Sequence, residues 1–389
     1  MNRWDWLRAS ACALSFFFAG IPGMNAARAD SLDKAIETVK NASDEDLRKE
    51  IERRLPKKKN SAAKTRSVVP APRSAAPGAA IGLSSLNEAT ATGLAALDDA
   101  HLLTAARVTT RSIYGPDDRK DWYQVSAGSG LEPLARASVA LFDAAKLEAP
   151  TGGSVRIKAK SFQEVRHICA TPKEKFADQP AASFCSGTLV RPDLVLTAGH
   201  CIREISGNEA VPEKVAGIKF VFGYLLQKAT SDATTVPAAN VFAGKEVAGG
   251  ESGDFADAHR HDWALVRLDR PVPEAIAEPV TNWQTTSIAK DQRVFVMGFP
   301  AGMPLKYAPG ARVRDTSNDA WFVANLDTFG GNSGSGVYDQ TTRKLAGVLV
   351  EGEIDYKPDV ARGCFLVNLC PENGCSGETV SRLNRVRIP

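Results

Sequence analysis

From about residue 108 onward, apolar residues fall in short runs instead of recurring at helical spacing. Ser138-Val139-Ala140-Leu141-Phe142, Lys219-Phe220-Val221-Phe222-Gly223-Tyr224, Ala264-Leu265-Val266-Arg267-Leu268 and Val294-Phe295-Val296-Met297-Gly298 are examples, rich in β-branched and aromatic residues. Gly, Pro, Asn and Asp separate them. Such runs suit a pleated, half-buried surface, and their spacing predicts an all-β sandwich or barrel. No repeat at a solenoid period accompanies them.

Upstream the pattern changes. Leu32, Ile36 and Val39, then Leu47, Ile51 and Leu55, recur at spacings of three and four, which predicts one charged helix over 31–55. Ser43 precedes Asp44-Glu45-Asp46, an N-cap with acids in the first turn, and Pro56 ends the helix. Residues 57–82 are rich in Ala, Pro, Ser and Lys and hold no aromatic, the composition of a flexible linker. Residues 84–107 predict a second, weak helix. The N-terminus has the form of a secretory signal: Arg3 and Arg8, an apolar stretch Ala11 to Ala19, and Ala27-Arg28-Ala29 as an A-x-A cleavage site before Asp30. A retained anchor is the alternative, but the apolar run stops at Gly20-Ile21-Pro22-Gly23, short of the roughly 20 residues a span needs.

Composition narrows the class. Hydrophobic residues are 43% and charged residues 24% of the 389, which excludes a fully disordered chain, a collagen-like fibre and a polytopic membrane protein. The net charge is only +3, which gives no case for a nucleic-acid binder. The basic character sits in residues 48–66, with nine basic residues against two acids. That segment is either a solvated pro-segment or a weak contact with an anionic surface. Export implies an oxidising compartment, and removal of the signal takes Cys12 with it. Six cysteines remain: Cys169, Cys185, Cys201, Cys364, Cys370 and Cys375.

Three patches carry chemistry, in the order His, Asp, Ser. They are Ser186-Gly187-Thr188-Leu189-Val190 with Val195-Leu196-Thr197-Ala198-Gly199-His200-Cys201, then His261-Asp262-Trp263-Ala264-Leu265-Val266, then Asp327-Thr328-Phe329-Gly330-Gly331-Asn332-Ser333-Gly334-Ser335-Gly336-Val337. Each alone has an ordinary structural reading. In this order they offer a base, an orienting carboxylate and a nucleophile. His259 and His261 lie beside Asp262, but no Cys or acid spacing completes a metal set, so no metal and no cofactor are expected.

On these patches, residues 112–389 resemble the trypsin/chymotrypsin superfamily of serine peptidases. The resemblance implies a chymotrypsin-like double β-barrel with the active site in the cleft between barrels. It implies that Ser333 attacks the carbonyl, His200 moves the proton and Asp262 fixes the His200 tautomer. The N–H groups of Gly331 and Ser333 are then the oxyanion hole, since the glycine pair lets the backbone approach closely. It further implies a Cys185–Cys201 disulfide stapling the histidine loop. The other four cysteines allow three connectivities.

Arg111-Ser112-Ile113-Tyr114-Gly115-Pro116-Asp117-Asp118-Arg119 resembles the mature start of the bacterial glutamyl-endopeptidase (V8-like) branch, as does the run into Ser333. The expected organisation is a signal peptide 1–29, a pro-region 30–111 released after Arg111, and a peptidase domain 112–389. Asn332 stands where trypsin has the Asp that pairs with its new N-terminus, so any activation switch here must differ. Candidate substrate-binding residues are Asp327, Thr328, Val350 and Gly352. Asp327 lies six residues before Ser333, where trypsin carries the acid that binds Lys or Arg. It can also be structural, because glutamyl endopeptidases can carry Asp there. Leu349 stands where those enzymes place a glutamate-binding His, and Glu351, Glu353 and Asp355 add negative charge. The resulting expectation is a secreted endopeptidase acting on proteins or peptides, with Lys or Arg weakly preferred at P1. A glutamate-specific peptidase and a non-catalytic binding protein on the same scaffold stay open, and so does the oligomeric state.

Overall fold

The computed structural model describes residues 112–202, 212–252, 261–284, 286–352, 355–359, 362 and 364–388. The expected signal, charged helix, linker, second helix and basic segment, together with His259 and Glu353, lie outside the described residues.

Twelve strands build two closed barrels. The first holds β1 (Ser138–Asp143), β2 (Cys185–Arg191), β3 (Leu194–Thr197), β4 (Ile218–Phe222), β5 (Val241–Ser252) and β6 (Asp262–Leu268). The second holds β7 (Arg293–Gly298), β8 (Lys306–Asp315), β9 (Trp321–Ala324), β10 (Gly336–Asp339), β11 (Leu345–Glu351) and β12 (Glu378–Arg382). The first ring runs β1-β2-β3-β6-β5-β4 and closes β4 on β1. The second runs β7-β8-β9-β12-β11-β10 and closes β10 on β7. Counted within each barrel, the two orders are the same. All twelve pairings are antiparallel. Closure leaves no exposed sheet edge in either ring. This is the double β-barrel that the resemblance implied.

The strands follow the short apolar runs because closed barrels bury one face of every strand, and here packing covers much of the other. Val139, Leu141, Leu189, Val195, Phe220, Phe222 and Leu265 fill the first barrel. Val294, Val296, Val313, Phe322, Leu349 and Val380 fill the second. A third cluster joins Ile113 of the chain's first described stretch to Phe162, Met303 and Phe329. Ile113 and Tyr114 pair in parallel with Leu369 and Cys370 in a separate two-stranded sheet.

Three disulfides close loops: Cys185–Cys201, Cys169–Cys364 and Cys370–Cys375. The last two resolve the connectivity left open above. Disulfides of this kind suit an oxidising compartment. Among the described residues, no helix is long and apolar enough to cross a membrane.

Candidate active site

His200 and Asp262 come from the first barrel and Ser333 from the second. β3 ends at Thr197, and a single 3-10 turn, Gly199–Cys201, carries His200. Asp262 is the first residue of β6, which pairs with β3 through Ala264 and Thr197. This neighbouring register brings the two together. Asp262 uses both oxygens on His200: Oδ1 accepts from the backbone N–H at 2.8 Å and Oδ2 lies 2.5 Å from Nδ1. Gly199 makes this possible, since a Cβ there would lie 2.3 Å from Glu251 O and 2.5 Å from Asp262 Oδ1. The Asp262 side chain is buried, while that of His200 is 40% exposed. The imidazole thus has its Nδ1 fixed and its other edge open, as a general base needs. From the second barrel, Ser381 Oγ accepts the Asp262 N–H at 3.2 Å and donates to Asp262 O at 3.3 Å.

Ser333 sits between β9 and β10. Its carbonyl accepts from Ser186 N at 2.8 Å, which ties it to the start of β2. Gly334 follows at φ +87°, packed against Ser186 O, Thr197 Oγ1 and Ala198 N, the residues that lead into His200. The preceding turn is held at each peptide. Gly330 N donates to Asp355 Oδ2 at 2.8 Å, Gly330 O accepts from Ala301 N at 2.7 Å, and Gly331 O accepts from Ser186 Oγ at 2.8 Å. In a trans peptide the C=O and N–H point opposite ways. The Gly330 carbonyl faces Ala301, so the Gly331 N–H faces away from it. Fixed donors of this kind are what a developing oxyanion needs.

Sequence reasoning missed three residues here. Ser186 was visible only as part of a motif, yet its N–H and hydroxyl hold both Ser333 and Gly331, and the hydroxyl also accepts from Phe299 N at 3.1 Å. Asp355 was read as charge on a pocket edge; it is buried and bound to Gly330. Ser381 had no sequence signal.

Asp327 and Thr328 both bond to residues 112–118, and Thr328 also to Glu378. Both Asp327 oxygens face the first described segment, Oδ1 accepting from Tyr114 N at 2.7 Å and Oδ2 from Asp118 N at 3.2 Å. Thr328 is fully buried; its N–H donates to Ser112 O at 3.2 Å and its hydroxyl to Glu378 Oε2 at 2.8 Å. Phe329 stacks under the buried Arg119 guanidinium, 4.1 Å from the ring centroid. Arg119 is held in turn by Asp117 and Glu174. Val350 and Gly352 are half-buried at the end of β11. Leu349 is fully buried. Where Cys185, His200 and Cys201 converge, the two sulfurs are bonded to each other and Nδ1 is engaged by Asp262, so they do not form a metal-ligand set.

The Asp118 and Asp327 carboxyls sit together, and burial pushes both up from 3.8, Asp327 to about 8 and Asp118 to about 6. The Tyr114 N–H and Arg119 oppose the shift on Asp327; Asp117 adds to that on Asp118, and Lys175 and Lys120 oppose it. The folded pair therefore keeps a proton near neutrality that the unfolded chain releases from about pH 4. The unfolded state binds fewer protons in that window, so stability falls as pH rises from about 4 to about 8. Asp327→Asn imitates the protonated acid. In thermal melts on a Ser333→Ala background, the parent is expected to lose about 5 °C between pH 5 and pH 8. Asp327→Asn is expected to remove most of that fall, and an unchanged slope would refute the assignment.

Residues 185–348 match the family model for the trypsin-like peptidase domain. A solved structure of a Glu endopeptidase in complex with MPD is similar to this chain, with a TM-score of 0.39 and 16% identity over 70% of this chain and 94% of that one. No curated protein matches the chain.

Proposed function

We propose that this chain, whose residues 185–348 match the trypsin-like peptidase domain, is an exported serine endopeptidase made as a precursor. Ser333 attacks the scissile carbonyl, and His200 takes its proton and returns it to the leaving amine. Asp262 holds the tautomer and stabilises the imidazolium, and the N–H groups of Gly331 and Ser333 receive the oxyanion. Water then hydrolyses the acyl-enzyme by the same groups. The observation that carries the reading is the two-point grip of Asp262 on His200, at 2.8 and 2.5 Å. A histidine with a merely structural role needs no carboxylate on both its backbone and its ring.

Residues 112–389 are the peptidase domain, 30–111 the pro-region and 1–29 the signal, removed on export. With Asp327 bound to Tyr114 and Asp118, a preference for Lys or Arg at P1 falls to the acidic edge at Glu351 beside Val350 and Gly352. Leu349 at the place of a glutamate-binding His argues against glutamate at P1.

The test is a fluorophosphonate probe together with a peptide mixture varied at P1, read by mass spectrometry. The exported chain is expected to label at Ser333 and to cleave, with Ser333→Ala doing neither. A folded, processed chain that neither labels nor cleaves would favour the non-catalytic scaffold. Cleavage confined to glutamate would overturn the basic preference.

A further inference from the structure

We infer that Asp355 is a positioning residue for the oxyanion hole: by holding the Gly330 N–H, its carboxylate keeps the next peptide turned so that the Gly331 N–H faces the scissile carbonyl. The inference rests on the peptidase reading above and deepens it by naming what sets one of the hole's donors.

Gly330 and Gly331 flank a single peptide. Glycine takes φ of either sign, so a peptide between two of them can turn over without a Cβ clash. Local preference therefore does not choose its orientation. The orientation present is a costly one. The Gly330 carbonyl accepts from Ala301 N at 2.7 Å, which turns the Gly331 N–H the other way. Gly331 is buried, and among the described residues no acceptor meets that N–H. A buried donor left unmet is unfavourable, so neighbouring bonds must hold the peptide as it is.

Bonds on both sides do so. Ala301 gives its N–H from a left-handed conformation, φ 55° and ψ 11°, which is uncommon for a residue with a Cβ. Downstream, Gly331 O accepts from Ser186 Oγ at 2.8 Å. Upstream, Gly330 N donates to Asp355 Oδ2 at 2.8 Å, and this is the bond made to a carboxylate. Charge-assisted hydrogen bonds are roughly twice as strong as neutral ones. A Cβ on Gly330 would lie 3.1 Å from Oδ2, so the carboxylate sits directly against this residue.

Asp355 is itself well placed to act as an anchor. It is 2% exposed and lies between β11 and the strand Tyr356–Asp359, which pairs with Cys364–Val367. Its carbonyl accepts from Asn368 N at 2.8 Å. Tyr356, the next residue, packs its ring 5.3 Å from that of Phe329, the residue before Gly330. Removing the carboxylate releases the Phe329–Gly330 peptide, and the peptide after it then loses its upstream hold.

The experiment compares Asp355→Leu, which has no acceptor, with Asp355→Asn, which keeps one, in the exported and processed chain. The substrate is the peptide cleaved fastest in the mixture above, and kcat is expressed per serine titrated with fluorophosphonate, so that misfolded molecules do not count. Asp355→Leu is expected to lower kcat by about tenfold to 10²-fold with KM little changed, the upper end being the loss of one oxyanion donor in every molecule. Asp355→Asn should recover most of that loss. Crystal structures on a Ser333→Ala background read the peptide directly. In Asp355→Leu the Gly330 carbonyl is expected to leave Ala301 N, and in Asp355→Asn to stay. Where Asp355→Leu does not fold, Asp355→Ala carries the same expectations. A kcat within about twofold of the parent, or a loss that falls on KM alone, overturns the inference. So does a Gly330 carbonyl still bonded to Ala301 without the carboxylate. A carbonyl that leaves Ala301 only when the acceptor is gone, in a chain whose parent neither labels nor cleaves, upholds the hold of Asp355 on the peptide and removes the peptidase reading instead.

Discussion

Asp262→Asn is expected to lower kcat by about 10⁴-fold with little change in KM or in fold. The size of the effect follows from the two contacts that Asp262 makes with one residue. Oδ1 accepts from the His200 backbone and Oδ2 faces Nδ1. Asn can supply an acceptor to only one of them. If its oxygen keeps the backbone N–H, its amide hydrogens face Nδ1, which must then be unprotonated. The imidazole proton moves to the other nitrogen, the one that must take the proton from Ser333. The site keeps its shape and loses its base. Burst and steady-state kinetics on the processed enzyme would check this, with thermal melts to show an intact fold. A loss smaller than tenfold would mean that His200 is not oriented through Asp262 during the reaction.

The second large effect is expected at Gly334. Its φ of +87° is unfavourable for any other residue, and an added Cβ would lie 2.1 Å from Ser186 O, 2.3 Å from Thr197 Oγ1 and 2.9 Å from Ala198 N. Two of these are backbone atoms of the first barrel, at the approach to His200, so no flexible side chain can absorb the clash. Gly334 N also donates to Leu349 O at 2.8 Å, which pins its other side. Gly334→Ala must push the Ser333 turn away from the first barrel or break that bond. The expected cost is about 3–5 kcal/mol of stability, a size reserved for overpacking combined with backbone strain. A shift of about 1 Å at Ser333 would itself cost about 10²-fold in rate in the molecules that fold. Gly128 provides the control. It has φ +77° and nothing within 4 Å of an added Cβ, so Gly128→Ala bears the backbone penalty alone, about 1–2 kcal/mol. Urea unfolding of both variants separates clash from strain. Equal losses would show that the barrels do not press on Gly334.

The candidate chemistry was legible because the proposed nucleophile, base and carboxylate each lie in a patch with a local signature. T-A-G-H-C and G-N-S-G-S are dense in small residues because the backbone is crowded there, as Gly199 and Gly334 show. The strands were legible because burial on a pleated sheet writes itself into short apolar runs. β1, β4, β6 and β7 all coincide with runs visible in the sequence. Asp327 was the instructive case. Its position six residues before Ser333 left both a substrate acid and a structural acid open, and in the fold its oxygens meet N–H groups at Tyr114 and Asp118, more than 200 residues earlier in the chain. Asp355 likewise carried charge in the sequence and a hydrogen bond to Gly330 in the fold.

The sequence by itself determined the all-β class and the candidate triad, and the resemblance it carried supplied the Cys185–Cys201 staple. The first two rest on local composition and on motifs, and the staple rests on the resemblance alone. Only the tertiary structure decided the two barrels' common strand order, the Cys169–Cys364 and Cys370–Cys375 pairs, and the partners of Ser186, Asp327, Asp355 and Glu378. The physical reason is distance along the chain. Cys370–Cys375, five residues apart, is local; the Cys169–Cys364 disulfide and these hydrogen bonds join segments 25 to 266 residues apart and leave no periodicity behind. They form because barrel closure brings those segments together, after local preference has done its part.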